Sequence, residues 1–336
     1  MSERVTAVAP SNLAFVKYWG ARDLDRAIPR HPSISMTLSR CRSRCTAVPR
    51  TGGRGDEVLR PNGDGGVVPA SEEFAAPVLR HVERLRRRAG GGPDLRVATR
   101  NNFPTGAGLA SSASGFAALT LACAGVFDLH PSAAELSVWA RRSGSGSAAR
   151  STLGGYVEWP SPEDGDMEGP ARQLAPPEHW DLRDVVALVD PGQKEVSSRE
   201  GHRRAESSPH YRRRLELVPD RLAEVRDALR ECDLRRLGPV LETEAVELHL
   251  VAMSSRPPAF YWSPGTLRVM EAVRALRSEE GIAAYYTIDA GPNVHVLCGP
   301  RDEERVVQRM RELPPVRDVL RDRVGGGPRW DGEHLL

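Results

Sequence analysis

Apolar positions recur along this chain with two periods. Short runs at residues 5–8, 94–99 and 154–159 read as strands, interleaved in the first half with 3.6-period stretches at 72–88, 112–125 and 132–142 that predict helices. Pro, Gly, Asp and Glu then crowd residues 160–179, which reads as a surface connection. Beyond it VVALVD (185–190) is a buried strand candidate. Long amphipathic helices follow at about 208–231, 234–253 and 264–279, then strands at 283–288 and 294–297 and a closing helix from Arg301. Elements that are mixed but not strictly alternating predict an α+β chain in two lobes, residues 1–180 and 181–336.

Composition narrows the function classes. With 336 residues, 40% hydrophobic and 27% charged, the chain suffices for two cores and has an ordinary globular balance. A net charge of +2 implies no polyanionic partner. The arginine runs at 86–88 and 212–214 lie in amphipathic stretches without interleaved aromatics, so solvated faces are expected rather than nucleic-acid contact. No apolar run approaches about 18 residues and the first residues lack a signal-like apolar core, so no membrane partner and a cytoplasmic location are expected. Five mostly isolated cysteines argue against a disulfide framework, and Cys41 and Cys45 lack the second ligand pair of a zinc site. Of 47 basic residues only two are lysine, Lys17 and Lys194, so a compact ammonium is kept at two places in a chain that otherwise writes arginine.

The run NNFPTGAGLASSASGFAAL (101–119) places a small, hydroxyl-rich loop directly in front of a helix. Gly106 and Gly108 remove side chains that would keep a ligand from backbone N–H groups, while Ser111, Ser112 and Ser114 add hydroxyls. The helix start adds unpaired N–H groups and partial positive charge, the combination with which proteins hold phosphate. No lysine follows the glycines and no third glycine completes GxGxxG, so the loop is neither a Walker site nor a Rossmann turn. A tight turn ahead of a buried helix is the alternative.

Four further constellations carry candidate chemistry. In APSNLAFVKYWGARD (9–23) an apolar strand delivers Lys17 and Tyr18 to its end, unless the lysine merely snorkels. In RRSGSGSAARS (141–151) two glycines free the backbone while Ser145, Ser147 and Arg150 gather donors. An arginine there can clamp a carboxylate or phosphate bidentately, and a helix end is the alternative. Lys194, Ser197, Ser198 and Arg199 precede a helix, as an anion site or as an N-capped start. Asp289 leaves a strand into the turn Ala-Gly-Pro-Asn, either as a turn former or as a carboxylate placed to orient or deprotonate a hydroxyl.

Taken in order, KYWGARD, NNFPTGAGLASSASGFAAL, SGSGSAARSTLGGYVEW, KEVSSREG and YYTIDAGPN resemble the mevalonate 5-diphosphate decarboxylase family of the galactokinase, homoserine kinase, mevalonate kinase and phosphomevalonate kinase superfamily. The resemblance runs from about Val5 to Pro300. It implies a two-lobed small-molecule-kinase fold, with an N-terminal β-α-β lobe holding the ATP phosphate loop, a ferredoxin-like C-terminal lobe and a substrate cleft between them. It implies ATP-dependent phosphorylation of the C3 hydroxyl of mevalonate 5-diphosphate, then loss of phosphate and CO2 to give isopentenyl diphosphate. ATP contacts fall by resemblance on Asn102, Pro104, Gly106, Gly108, Leu109, Ala110, Ser111 and Ser112. Magnesium arrives with ATP rather than through a protein cluster, with Ser112 as its candidate contact. Asp289 holds or deprotonates the C3 hydroxyl, Lys17 stabilises charge near the transferred phosphoryl, and Arg150 binds the C1 carboxylate. Tyr18, Ser145, Ser147, Ser198 and Arg199 match substrate-contacting positions, with Lys194 beside them. A homodimer is expected, as is common in the family.

Two departures bear on the substrate. Ala21 stands where the family commonly has a second lysine, and Arg30-His31-Pro32-Ser33 stands where it usually has Asn-Ser-Ser. Losing one cation fits a substrate with one fewer phosphate, mevalonate 5-phosphate, as an alternative within the enzyme class. A nucleotide-binding regulatory module without turnover is the alternative outside it.

Overall fold

The computed structural model describes residues 4–62, 66–104, 109–161, 166–190, 192 and 194–336, so Gly106 and Gly108 lie outside the described residues. In chain order the first half gives β1 (Val5–Val16), β2 (Ala21–Asp23), β3 (Ile28–Pro29), β4 (Ser33–Arg50), β5 (Glu57–Pro61), β6 (Val67–Pro69), α1 (Glu72–Arg88), β7 (Asp94–Asn101), α2 (Ser111–Val126), α3 (Ala133–Arg141), a 3-10 segment (Gly146–Thr152) and β8 (Tyr156–Trp159). Then come β9 (Arg172–Ala175), β10 (Arg183–Leu188), α4 (Ser198–Arg204), α5 (Tyr211–Glu231), α6 (Leu234–Met253), α7 (Pro264–Glu280), β11 (Ala284–Thr287), β12 (Val294–Cys298), α8 (Glu303–Arg311), β13 (Asp318–Arg323) and β14 (Arg329–Trp330).

Two main sheets organise these elements. The larger runs β14-β1-β4-β7-β5-β6, with β8 and β9 continuing from β4. The smaller runs β11-β12-β10-β13, antiparallel throughout. Sequence expectation split the first strand in two. The structure joins Val5 to Val16 as one strand whose register slips between Pro10 and Asn12. Proline cannot donate to the ladder, so the apolar pattern breaks there while the strand continues. Strand β4, 18 residues long, is not among the strands expected above, and its second half alternates arginine and small residues rather than apolar and polar ones.

Packing follows the side-chain period. In the larger sheet Val5, Ala7, Ala9, Cys45, Ala47, Leu95 and Val97 face α1 and α2 in one core. Helix α2 is buried nearly all round, as its run of alanines and small residues allows. In β10, Val185 and Ala187 enter the core beneath α7 and α8, while Val186 and Leu188 enter a second core shared with Leu13 and Phe15 of β1, Val218 and Leu222 of α5, and Leu241 of α6. A strand buried on both faces reads as a continuous apolar run, which is why VVALVD was recognisable. The second core joins β1 to β10 and to Leu297 of β12, the strand that pairs with β11, and so packs the two sheets against each other.

Helix α6 approaches β11 closely. A Cβ added at Gly238 would lie 2.1–2.4 Å from the Tyr285 ring. Gly238→Ala is therefore expected to destabilise the chain by about 1–3 kcal/mol through overpacking. A lower urea midpoint at an unchanged slope would show it, and an unchanged midpoint would contradict this packing.

Candidate active site

Lys17 follows directly on β1 and is 1% exposed. Its ammonium donates to Asp289 Oδ1 at 2.6 Å and to the Ala14 carbonyl at 2.8 Å. Asp289 lies just past β11, and its side chain remains 21% exposed. Burial alone would raise this carboxyl, but Lys17, with His295 and Arg150, holds it below the ordinary aspartate value. Residues 272 positions apart thus form one charged pair, sealed on the lysine side and open on the carboxylate side.

Arg150, in the 3-10 segment, is 2% exposed. Its Nε donates to Ser35 at 3.0 Å and to Asn12 Oδ1 at 3.3 Å, Nη2 donates to Asn12 Oδ1 at 3.2 Å, and Nη1 donates to the Ser33 hydroxyl. All of these acceptors are neutral. Burial draws the guanidinium down to about 10, against the opposing influence of Asp289, so it stays charged at neutral pH. Among the described residues this buried cation is hydrogen-bonded to neutral oxygens alone, which leaves it poised for an anionic partner.

Around this centre the small polar groups converge in part. The Ser112 hydroxyl, exposed at the start of α2, lies 3.3 Å from that of Ser145, which lies 3.5 Å from that of Ser147. Asn12 Nδ2 also donates to the Ser147 carbonyl at 3.2 Å. Helix α2 begins behind Ala110 in the left-handed region (φ 49°) with no side-chain cap among the described residues, which leaves its first N–H groups to other partners. Ser11 anchors this turn by donating to the Leu109 carbonyl at 2.6 Å, and the Ser111 hydroxyl is buried without a partner among the described residues. Ser114 turns inward, 2.6 Å from the Ser43 hydroxyl. Asn102 is occupied by β4, accepting from the Arg42 N–H and donating to the Arg40 carbonyl, each at 2.8 Å. Pro104 is half-buried on the near side of the undescribed residues.

Tyr18 packs edge-on to Trp159 at 5.2 Å and against His202 at 4.3 Å between ring centroids. Burial raises its phenol above the ordinary value. Lys194 donates to the Ser198 hydroxyl and to the Ala290 carbonyl, each at 2.7 Å. Burial lowers its amine to about 8, against the pull of Asp289. Arg199 stays at the surface, paired with Asp25 at 2.5 Å and donating to the Leu24 carbonyl at 3.2 Å. Ser197 caps α4, accepting from the Glu200 N–H at 3.2 Å. His31 is buried and neutral, lowered to about 4 by burial, and its Nδ1 lies 2.7 Å from the Pro32 carbonyl.

Sequence reasoning missed several contributors. Asn12, Ser33 and Ser35 hold Arg150, and their signal was a polar residue inside a wholly buried strand and a period of two at the start of β4. His202 accepts from the Gly20 N–H at 3.0 Å and backs Tyr18, and burial keeps it neutral, at about 3. Among the described residues no group of three His, Cys, Asp or Glu side chains is arranged to hold a metal ion, and no helix is long and apolar enough to cross a membrane.

Residues 9–169 match the family model described as the diphosphomevalonate decarboxylase-like N-terminal domain, and residues 185–328 match that of the mevalonate 5-diphosphate decarboxylase C-terminal domain. The diphosphomevalonate decarboxylase of Candida albicans is 34% identical to this chain, with 98% of each covered. Among solved structures, the mevalonate diphosphate decarboxylase from Staphylococcus aureus aligns with a TM-score of 0.89 at 31% identity over 98% of both chains. MDDEF in complex with MVAPP, AMPPCP and magnesium aligns with a TM-score of 0.88 at 34% identity, again over 98% of both.

The two lysines offer a direct check on the geometry. Lys194 is half-buried with its amine near 8, whereas Lys17 is sealed against Asp289. Limited acetylation at pH 8 followed by peptide mass mapping should modify Lys194 and leave Lys17 unmodified until the chain unfolds. Equal labelling of both in the folded protein is the contrary result.

Proposed function

Because the chain belongs to the diphosphomevalonate decarboxylase family, we propose that it phosphorylates the C3 hydroxyl of mevalonate 5-diphosphate with ATP and releases phosphate and CO2, leaving isopentenyl diphosphate. The observation that supports this most strongly is the Lys17–Asp289 pair beside an Arg150 cation hydrogen-bonded, among the described residues, to neutral oxygens alone.

Each group has a task that its surroundings suit. Asp289, kept ionised by Lys17 and open on its other side, accepts the hydrogen bond of the C3 hydroxyl and takes its proton as the phosphoryl group moves to that oxygen. Lys17 spreads positive charge where negative charge moves, without itself reaching solvent. Arg150 takes the C1 carboxylate on its planar fork and aligns the C1–C2 bond with the departing 3-phosphate. As that phosphate leaves with its electron pair, the C1–C2 bonding pair becomes the C2=C3 double bond and CO2 departs.

The ATP phosphates would lie at the start of α2, against the serine hydroxyls and the uncapped N–H groups. Ser112 and Ser145 offer hard oxygens suited to magnesium, which favours phosphate and water oxygens with one or two protein ligands. When bound, that ion neutralises phosphate charge. Tyr18, Ser145, Ser147, Ser198 and Arg199 are assigned to the substrate's phosphate tail and neighbouring oxygens. The proposal also keeps the two lobes at 1–180 and 181–336, a cytoplasmic location and a homodimer, the last measured by light scattering of the purified chain.

Three measurements test the reading. Purified protein with ATP and magnesium should release CO2 from mevalonate 5-diphosphate in preference to mevalonate 5-phosphate. The opposite preference would move the assignment to the monophosphate enzyme, which Ala21 and the neutral His31 favour because they supply no cation. Asp289→Asn and Arg150→Ala should each lower turnover by about 10²–10⁴-fold with the folded state retained. Near-normal turnover in either would falsify the role assigned to that residue. Turnover of the unmodified enzyme should fall as the pH drops through the Asp289 value, which lies below that of an ordinary aspartate, because the proton acceptor is then lost.

A further inference from the structure

We propose that Glu244 and Arg214 are positioning residues which clamp the main chain of Lys17 and so aim its ammonium at Asp289. This rests on the reading of Lys17 and Asp289 as the catalytic pair. The Lys17 N–H donates to Glu244 Oε2 at 2.8 Å, and the Lys17 carbonyl accepts from Arg214 Nη2 at 3.1 Å. The same arginine grips the same carboxylate, Nη2 to Oε2 at 2.7 Å and Nη1 to Oε1 at 3.0 Å. One ion pair, contributed by α5 and α6, thus satisfies both main-chain polar groups of a residue 197 and 227 positions earlier.

Lys17 needs that support. It lies one residue beyond Val16, the last position of β1 paired to β4, so the sheet no longer holds its peptide groups. Both would be buried without partners if the clamp were absent, a costly state. Lys17, Glu244 and Arg214 are each no more than 1% exposed. Burial alone would raise the Glu244 carboxyl, but Arg214, the Lys17 N–H and Arg221 hold it at about 2, so that carboxylate stays ionised at neutral pH.

Stability is a poor reason for such a pair. A buried ion pair is often replaceable by apolar residues at no loss, whereas removing one partner leaves a stranded charge. What apolar residues would not supply is the pair of hydrogen bonds that fixes the Lys17 peptide. With the peptide fixed, the ammonium is left to its two acceptors, Ala14 and Asp289. Arg221 supplies an internal control. It donates to Glu244 Oε1 at 2.7 Å and pairs with Glu247, but no hydrogen bond joins it to Lys17.

The test compares Glu244→Ala, Glu244→Gln, Arg214→Lys and Arg221→Met in the full chain, reading kcat, both KM values, the melting temperature and the acid limb of kcat. Asp289 faces Lys17 just past β1, Arg150 from the 3-10 segment, Asp184 from β10, His295 from β12, His249 from α6 and Lys194 ahead of α4. Of these, only Lys17 is held by the clamp. Glu244→Ala should lower kcat by about 10- to 100-fold, the scale of a misplaced catalytic group, with KM for ATP within about twofold. Its acid limb should move to higher pH, because Asp289 loses the cation that holds it down. Glu244→Gln retains an oxygen for the Lys17 N–H and should recover most of kcat. Arg221→Met should lower the melting temperature while kcat per folded molecule stays within about twofold of the unmodified enzyme. If Glu244→Ala does not fold, Arg214→Lys, which loses the planar fork, decides the matter by the same readouts. The proposal is overturned if the Glu244 and Arg214 variants behave like Arg221→Met, melting lower with unchanged kcat and acid limb. Lys17→Met and Asp289→Asn separate the two failures. If those retain turnover, the catalytic reading itself has failed.

Discussion

A buried ammonium without a carboxylate is one of the most expensive groups a protein can carry, and that constraint organises this fold. Lys17 is placed at the end of the first strand with its ammonium sealed from solvent, so the chain must bring an anion to it. Asp289 arrives from the turn after β11, in the second sheet. The apolar core shared by β1, β10, α5 and α6 packs the two sheets together beside that meeting. Because the lysine is closed off and the carboxylate is open, the pair is asymmetric. The ammonium sets the charge, and the carboxylate is left to face a substrate hydroxyl.

Arg150 shows the same economy with the opposite solution. Its guanidinium is as deeply buried as the ammonium, yet hydrogen bonds to Asn12, Ser33 and Ser35 hold it in place of an acid. Neutral oxygens fix the plane of the fork without cancelling its charge, so the full attraction remains for an incoming carboxylate. Had an aspartate stood at Ser33 or Ser35, the arginine would be stabler and less able to bind an anion. The site thus separates two cations by function, one neutralised inside the protein and one kept in deficit.

What was legible in the sequence follows from how local each signal is. VVALV announced a strand buried on both faces, and Ser197 announced a helix start that it does cap. The phosphate-loop composition and the strand-end positions of Lys17 and Asp289 were visible as well, as separate possibilities. Nothing in the spacing could join residues 17 and 289, or show that Asn12 and Ser35 would meet Arg150. The roles of Lys17, Asp289 and Arg150 came from an ordered resemblance of five motifs, which assigned none to Asn12 or Ser35. Glu244 was hidden for a different reason. On an amphipathic helix an acidic residue reads as solvated, and only the packing of α6 against α5 and β1 turns it inward.

The distribution of the two basic residue types supports the same geometry. An ammonium presents three donors from one atom, whereas a guanidinium presents five in a fixed plane. At Lys17 the acceptors are two, the Ala14 carbonyl and Asp289, and at Lys194 they are again two, the Ser198 hydroxyl and the Ala290 carbonyl. An arginine in either place would bring more donors than the surroundings satisfy, at the cost of unpaired buried N–H groups. At Arg150 three separate side chains lie around one plane, and there the five-donor fork is the better fit. In a chain that writes arginine almost everywhere else, lysine stands where the site offers a point of contact, and arginine where it offers a plane.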